Sequence, residues 1–196
     1  MTKLQKGISL SGGKYIYKGA IGITKRTDEI NLEIKAWEEK DLDLLIQLNE
    51  PKMMEYLGGP ESAEQIERRH KRYLEIGSKG SMFSINLPGA EAIGSVGYWQ
   101  TAWNDESVYE VGWSVLSSFQ GKGLASQAVK AVIAKIKDER KYHCIHAFPS
   151  VHNAASNAIC RKLGFHLITE CEFEYPPGSF MTCNDWCLNL NETLDR

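Results

Sequence analysis

The chain predicts an α/β or α+β domain built on a mixed sheet. Segments of period-two apolar alternation recur along its length, as half-buried strands do. Two stretches of helical periodicity follow strand-like runs directly, one after a glycine-bearing turn and one after an asparagine. The elements fall in the order β-α-α-β-β-β-α-β-α-β-β, that of an α/β or α+β domain with a mixed sheet. At 196 residues the chain suits one domain plus a terminal extension.

Residues 1–29 precede the first clear unit and are read as an N-terminal extension, an added hairpin or arm. Residues 30–190 form the domain, and 191–196 a C-terminal tail. Ile30 to Ala36 alternates apolar and polar residues and reads as the first strand. Asp41 to Asn49 is short, leucine-rich and helical, and Pro51 to Leu57 reads as a second helical turn ending at Gly58-Gly59. Ser62 with Gln65 three residues on forms a capping-box pattern opening a helix to about Ile76. Three strands follow, Ser81 to Leu87, Ala92 to Thr101 and Ser107 to Leu116, with turns at Pro88-Gly89 and Asn104-Asp105. A long helix runs from about Gly121 to Arg140. Tyr142 to Phe148 is a strand, Ala154 to Leu163 a helix, and Phe165 to Phe173 and Phe180 to Leu190 are closing strands.

Composition excludes several function classes. The formal net charge is −2, far from the basic footprint of a nucleic-acid binder. No apolar run approaches the ~20 residues of a membrane span. The start, Met1 to Gly13, lacks the apolar stretch of a secretory signal, so the expected location is cytoplasmic. Five cysteines in irregular positions argue against a disulfide framework. Cys183 and Cys187 raise a metal reading, but four residues of strand put their α-carbons ~13 Å apart. Thiolates sharing one zinc at ~2.3 Å must lie far closer, so no metal is expected.

The most informative segment is Tyr109 to Ile136. Tyr109, Val111, Trp113 and Val115 share one strand face, which is bulky and apolar. Glu110, Gly112 and Ser114 share the other, which is small and polar and carries a carboxylate, as the floor of a ligand cleft requires. The turn Gln120-Gly121-Lys122-Gly123-Leu124-Ala125 follows, then Ser126 and the rest of the helix. Its glycines admit positive φ or close backbone approach to a ligand. The helix behind it offers free N–H groups and a dipole suited to a diphosphate. Ala125, Ala128, Val129, Val132, Ile133 and Ile136 form its apolar stripe. The P-loop and dinucleotide glycine patterns are both absent. A plain glycine-rich strand–helix loop explains the glycines equally well.

A second segment runs from His152 to Phe165. Asn153 is a good N-cap and Gly164 a good residue to follow the helix, with Ala155, Ile159 and Leu163 as the expected buried stripe. Ser156 falls where a hydroxyl also serves the cap. Cys160 reads as a buried, inert thiol. These features suffice for a short core helix with no further role.

Together the two segments carry a resemblance. Gln120-x-x-Gly123-x-Ala125 resembles the Q/R-x-x-G-x-G/A diphosphate signature of the GNAT acyltransferase superfamily. Asn153-x-x-Ser156-Asn157, continued by Arg161-Lys162-Leu163-Gly164-Phe165, is similar to the superfamily's second cofactor motif. Met54-Glu55-Tyr56-Leu57-Gly58-Gly59-Pro60 looks like the early helical region of its ribosomal-protein N-terminal acetyltransferase-like branch. The resemblance spans roughly Ile30 to Leu190. It implies a mostly antiparallel sheet splayed between its fourth and fifth strands, with acyl-CoA in the gap. Backbone groups near Val115 would meet the pantetheine arm, and Gln120, Gly121, Lys122, Gly123, Leu124, Ala125, Ser126, Asn153 and Ser156 would bind the cofactor. Many superfamily members have a tyrosine where Cys160 stands, and Ser156 is the substitute in the resembled branch.

Acetyl transfer from acetyl-CoA to an amine follows as the expected function. A free alkylamine, with a pKa near ~10, must lose a proton. The carbonyl oxygen must be stabilised, and the leaving thiolate must gain a hydrogen bond or proton. Glu110, acting through a water, is the candidate base and Ser156 the candidate donor. Direct transfer in a ternary complex is favoured over an acyl-Cys160. Trp99, Trp103, Tyr109 and Trp186 are candidates for the acceptor pocket, with core packing the competing role. A homodimer is compatible with the sequence. An acyl-CoA sensor without turnover and an interaction protein with an empty groove are the competing classes.

Overall fold

The structure is a computed structural model and describes residues 32–175 and 178–191. The expected extension at 1–29 lies outside the described residues, as does the tail beyond Asn191. Seven strands form one sheet: β1 (Glu33–Ala36), β2 (Gly80–Asn86), β3 (Gly94–Trp103), β4 (Glu106–Val115), β5 (Cys144–Ala147), β6 (His166–Glu174) and β7 (Phe180–Asn189). Their spatial order is β1-β2-β3-β4-β5-β7-β6. Every pair is antiparallel except β4 with β5. Four α-helices accompany them: α1 (Leu42–Gln47), α2 (Ala63–Leu74), α3 (Leu124–Glu139) and α4 (Ala154–Lys162).

The local chemistry explains most boundaries. Both halves of the capping box before α2 are made: the Ser62 hydroxyl accepts from the Gln65 N–H and the Gln65 side chain accepts from the Ser62 N–H. Asn104 and Asp105 both take positive φ, 51° and 62°, as a tight hairpin between β3 and β4 demands. Residues 51–59 form a run of turns, not the expected helical turn, and end with Gly58 and Gly59 in left-handed backbone. α3 opens at Leu124, three residues later than expected, because Gly121 and Gly123 take positive φ.

Two cores lie on opposite faces of the sheet. α3 buries Ala128, Val129, Val132 and Ile136 against Val96, Tyr98, Tyr109, Val111 and Ile145. The Tyr98 and Tyr109 hydroxyls both donate to Glu139 on this side. The smaller core joins Trp37 and Leu44, Leu45 and Leu48 of the α1 region to Ile66 and Met82. Among the described residues no helix is long and apolar enough to cross a membrane.

Candidate active site

The site begins where two parallel strands part. β4 and β5 are registered only at Tyr109 with Ile145 and Glu110 with His146. Beyond Glu110, β4 continues for five more residues without β5, and the sheet opens there. This is the splay expected between the fourth and fifth strands. A cleft of about 1620 Å³ fills the opening and continues under α2.

β4 lines the floor of the cleft from Glu110 to Val115. Val111 and Val115 are buried in the α3 core and Trp113 packs against it, whereas Glu110, Gly112 and Ser114 are outside that core. Trp99, opposite Glu110 in β3, lies across Gly112, where a Cβ would come within 2.8 Å of its ring. The absence of a side chain at 112 thus lets the indole Nε1 donate to Glu110 Oε2 at 3.0 Å. Glu110 is half-buried, and its carboxyl is pushed up to about 7. Desolvation is the main cause, opposed by the Trp99 hydrogen bond and then by electrostatic interaction with Arg72 and His146.

The far end of the cleft is the glycine turn. Gly121 and Gly123 sit at φ 75° and 77°, a region that side chains rarely enter, and a Cβ at either would meet no atom of the protein within 4 Å. Backbone conformation, not crowding by the protein, therefore selects glycine here. Gly123 is the N-cap of α3, so the N–H groups of its first turn lack intrahelical partners. Gln120, Gly121, Gly123, Leu124, Ala125 and Ser126 line the cleft. Leu124 buries its side chain in the core, which leaves only its backbone for a ligand. Lys122 does not line the cleft: its ammonium donates to the Ser118 carbonyl at 3.2 Å and lies over the Phe119 ring. Gln120 Nε2 donates to the Val115 carbonyl at 2.8 Å, tying the turn to the end of β4.

α4 forms the opposite wall. Asn153 caps it, its Oδ1 accepting from the Ser156 N–H at 3.0 Å. Asn153, Ala155, Ser156 and Ile159 line the cleft. The expected buried stripe is corrected here. Ala155 is exposed and Ile159 only half-buried, while Asn157 and Cys160 are the residues buried. Asn157 tolerates burial because its amide is satisfied on all sides. Its Nδ2 donates to the Ser150 and Asn153 carbonyls, and its Oδ1 accepts from Asn184 and from the Trp186 indole. Cys160 is fully buried with its thiol pushed up to about 12 by desolvation, which removes it as a nucleophile at neutral pH.

Of the four aromatic candidates, only Trp99 lines the cleft. Tyr109 points into the α3 core and Trp186 packs beside Asn157. Trp103 packs at a tilt against Phe148 and Phe173. It also donates to Asp185 Oδ2 at 2.8 Å, whose other oxygen pairs with His146 Nδ1 at 2.6 Å. This buried pair beside Glu110 was not anticipated from the sequence. An aspartate inside the closing apolar strand was the signal that a buried partner existed. Among the described residues no group of three metal-ligating side chains comes together.

A sheet split above a half-buried carboxylate, with a helix N-terminus aimed into the split, defines a group-transfer enzyme of the acyltransferase class. A family model for the acetyltransferase (GNAT) domain matches residues 31–166, well over half of the chain. The chain belongs to the GNAT acetyltransferase family. Solved structures resemble it over most of their length. An acetyltransferase from Salmonella typhimurium, which modifies the N-terminal serine of the 50S ribosomal subunit protein L7/L12, has 22% identity and a TM-score of 0.67, covering 81% of this chain and 94% of that one. A GNAT-family acetyltransferase from Bacillus anthracis has 23% identity and a TM-score of 0.66, covering 82% and 96%. Spermidine N-acetyltransferase from Vibrio cholerae, in complex with CoA and spermine, has 18% identity and a TM-score of 0.67, covering 81% and 95%. At these identities the likeness is one of fold.

Proposed function

We propose that the protein transfers an acetyl group from acetyl-CoA to a primary amine by direct attack in a ternary complex. The observation that supports this most strongly is the placement of Glu110. It stands at the closed end of the split between β4 and β5, with a carboxyl held near 7. A base is most effective when its pKa lies near the working pH.

Acetyl-CoA supplies an activated thioester. The left-handed turn and the first N–H groups of α3, at Gly121, Gly123, Leu124, Ala125 and Ser126, suit its diphosphate. Unpaired backbone of β4 beyond Glu110 suits the pantetheine amides and polarisation of the thioester carbonyl. Glu110, through a water, takes the proton that the ammonium must lose and passes it to solvent. The C–N bond forms as the C–S bond breaks, and the departing thiolate takes its hydrogen bond from the Ser156 hydroxyl. Asn153 already caps α4, so Ser156 is not needed for that role. The buried, protonated Cys160 argues for direct transfer over an acyl-enzyme. Cys144, Cys160, Cys171 and Cys183 are free thiols, in keeping with action in the reducing cytoplasm.

The test is a screen of amine acceptors with acetyl-CoA, read by release of free thiol, beside a CoA titration. Thiol release that depends on one acceptor supports the proposal. Tight CoA binding without release for any amine would identify a sensor. No CoA binding would identify an interaction protein.

A further inference from the structure

The cleft that holds Glu110 also carries a cluster of arginines. α2 forms one wall, where Arg68, Arg69 and Arg72 line the cleft. Arg69 is committed to Glu61 at 2.7 Å, and both side chains are nearly inaccessible. Arg68 and Arg72 stand four residues apart on one helix face, and neither is ion-paired with any described carboxylate. Arg72 rests over the Tyr73 ring, 5.8 Å from its centroid. Its charge reaches Glu110 on the floor of the same cleft and opposes the effect of burial there.

These cations stand in the wrong place for the phosphates of CoA. The glycine turn begins beyond Val115, five residues along β4 from Glu110. At ~3.3 Å per residue that is roughly 17 Å from the carboxylate that the Arg72 charge reaches. The thiol end of the cofactor, which is uncharged, belongs at the Glu110 end. A pair of guanidinium groups with no ion-pair partner among the described residues, in the cleft that holds the base, therefore addresses the other substrate. Glu55, Glu75 and Glu174 also line the cleft, but Lys52, Lys71 and Lys79 line it too and offset their charge, with Lys71 paired to Glu75 at 3.8 Å.

We infer that the acceptor is an amine that also carries a carboxylate, with its amine at Glu110 and its carboxylate at Arg72 and Arg68. This rests on the acetyl-transfer reading above and narrows it. Free amino acids and peptides with an acidic residue at the N-terminus share the required chemistry. A polyamine does not, because its second ammonium would meet the guanidinium groups, and like charges across an interface oppose binding.

The experiment uses the full-length protein, acetyl-CoA and matched acceptor pairs. One arm compares free amino acids with their amides. A second compares peptides beginning with Asp or Glu with peptides beginning with Asn or Gln. A third contains putrescine and spermidine. In whichever arm turns over, kcat/KM should be at least ~10-fold higher for the carboxylate member, the usual scale for a charge-assisted hydrogen bond. Arg72→Gln should collapse that ratio towards one, mainly through KM for the acceptor, and Arg72→Lys should restore part of it. A purely structural role for Arg72 would lower both members equally. Preference for polyamines, equal rates for acid and amide, or a ratio untouched by Arg72→Gln overturns the inference while leaving acetyl transfer intact. Absence of thiol release in every arm also overturns the inference, and the wider acceptor screen then decides acetyl transfer itself.

Discussion

Replacing Glu110 with glutamine should weaken catalysis and strengthen the fold, and the two effects share one cause. Burial in the cleft floor raises the carboxyl from 4.5 to about 7. The folded protein therefore holds a proton that the unfolded chain releases between those pH values. Stability must fall as pH rises through that window, and the whole cost is present above pH 7. At 1.36 kcal/mol per pH unit, the gap is worth about 3 kcal/mol. Glutamine keeps the shape, and its oxygen still accepts from Trp99 Nε1, but it never ionises. Glu110→Gln should thus be more stable than wild type by about 2–3 kcal/mol at pH 8 and nearly equal to it at pH 4. Urea unfolding at both pH values measures the difference. In the same variant, kcat should fall by ~10²-fold or more, the usual range for losing a general base. Its residual rate should climb with pH as more acceptor becomes neutral, whereas wild type should gain its activity through about pH 7. Acetyl-CoA affinity should survive, because the glycine turn lies at the other end of β4. A stability difference that does not vary with pH would show that Glu110 is not ionised against a desolvation cost. Matching pH–rate profiles would show that it is not the base.

Three further outcomes follow from the same geometry. Ser156→Ala should lower kcat more than it raises KM for acetyl-CoA, with an unchanged Tm because Asn153 holds the cap; normal turnover would remove the hydroxyl from the mechanism. Gly123→Ala should cost about 1–2 kcal/mol in thermal unfolding, since the φ of 77° disfavours any side chain, and should weaken acetyl-CoA binding in a calorimetric titration; unchanged affinity in the folded variant would separate the turn from the cofactor. Cys160 should resist alkylation in the native protein at pH 7.5, as a buried thiol pushed up to about 12 must, and Cys160→Ala should retain turnover; rapid labelling by iodoacetamide, followed by mass spectrometry, would contradict that burial.

Much of this was legible in the sequence because it depends on neighbours along the chain. Period-two alternation in β4 separated Glu110, Gly112 and Ser114 from Tyr109, Val111 and Val115, and the structure puts the second set, not the first, in the α3 core. Ser62 and Gln65 start α2 through bonds that span three residues. The glycine turn announced itself because left-handed backbone admits few residues other than glycine. In each case the cause lies within one or two turns of chain.

What only the tertiary structure decided depends on residues far apart in sequence. Apolar periodicity in α4 cannot tell a core from a cleft, so Ala155 and Ile159 were expected inside and instead line the cleft. Asn157 is buried in their place, because residues 27 and 29 positions away supply hydrogen bonds that offset the cost of burying its amide. Lys122 sits within the glycine turn, yet its ammonium is drawn back to Ser118 and Phe119. His146 meets Asp185 only because β7 inserts between β5 and β6, and Arg72 shares a cleft with Glu110 only because α2 packs over the sheet. The sequence by itself determined the elements, the polar face of β4 and the phosphate-suited turn, since local backbone and side-chain preferences set them. The burial that tunes Glu110 and the charge that reaches it came from packing, because desolvation and Coulomb interaction act through space and not along the chain.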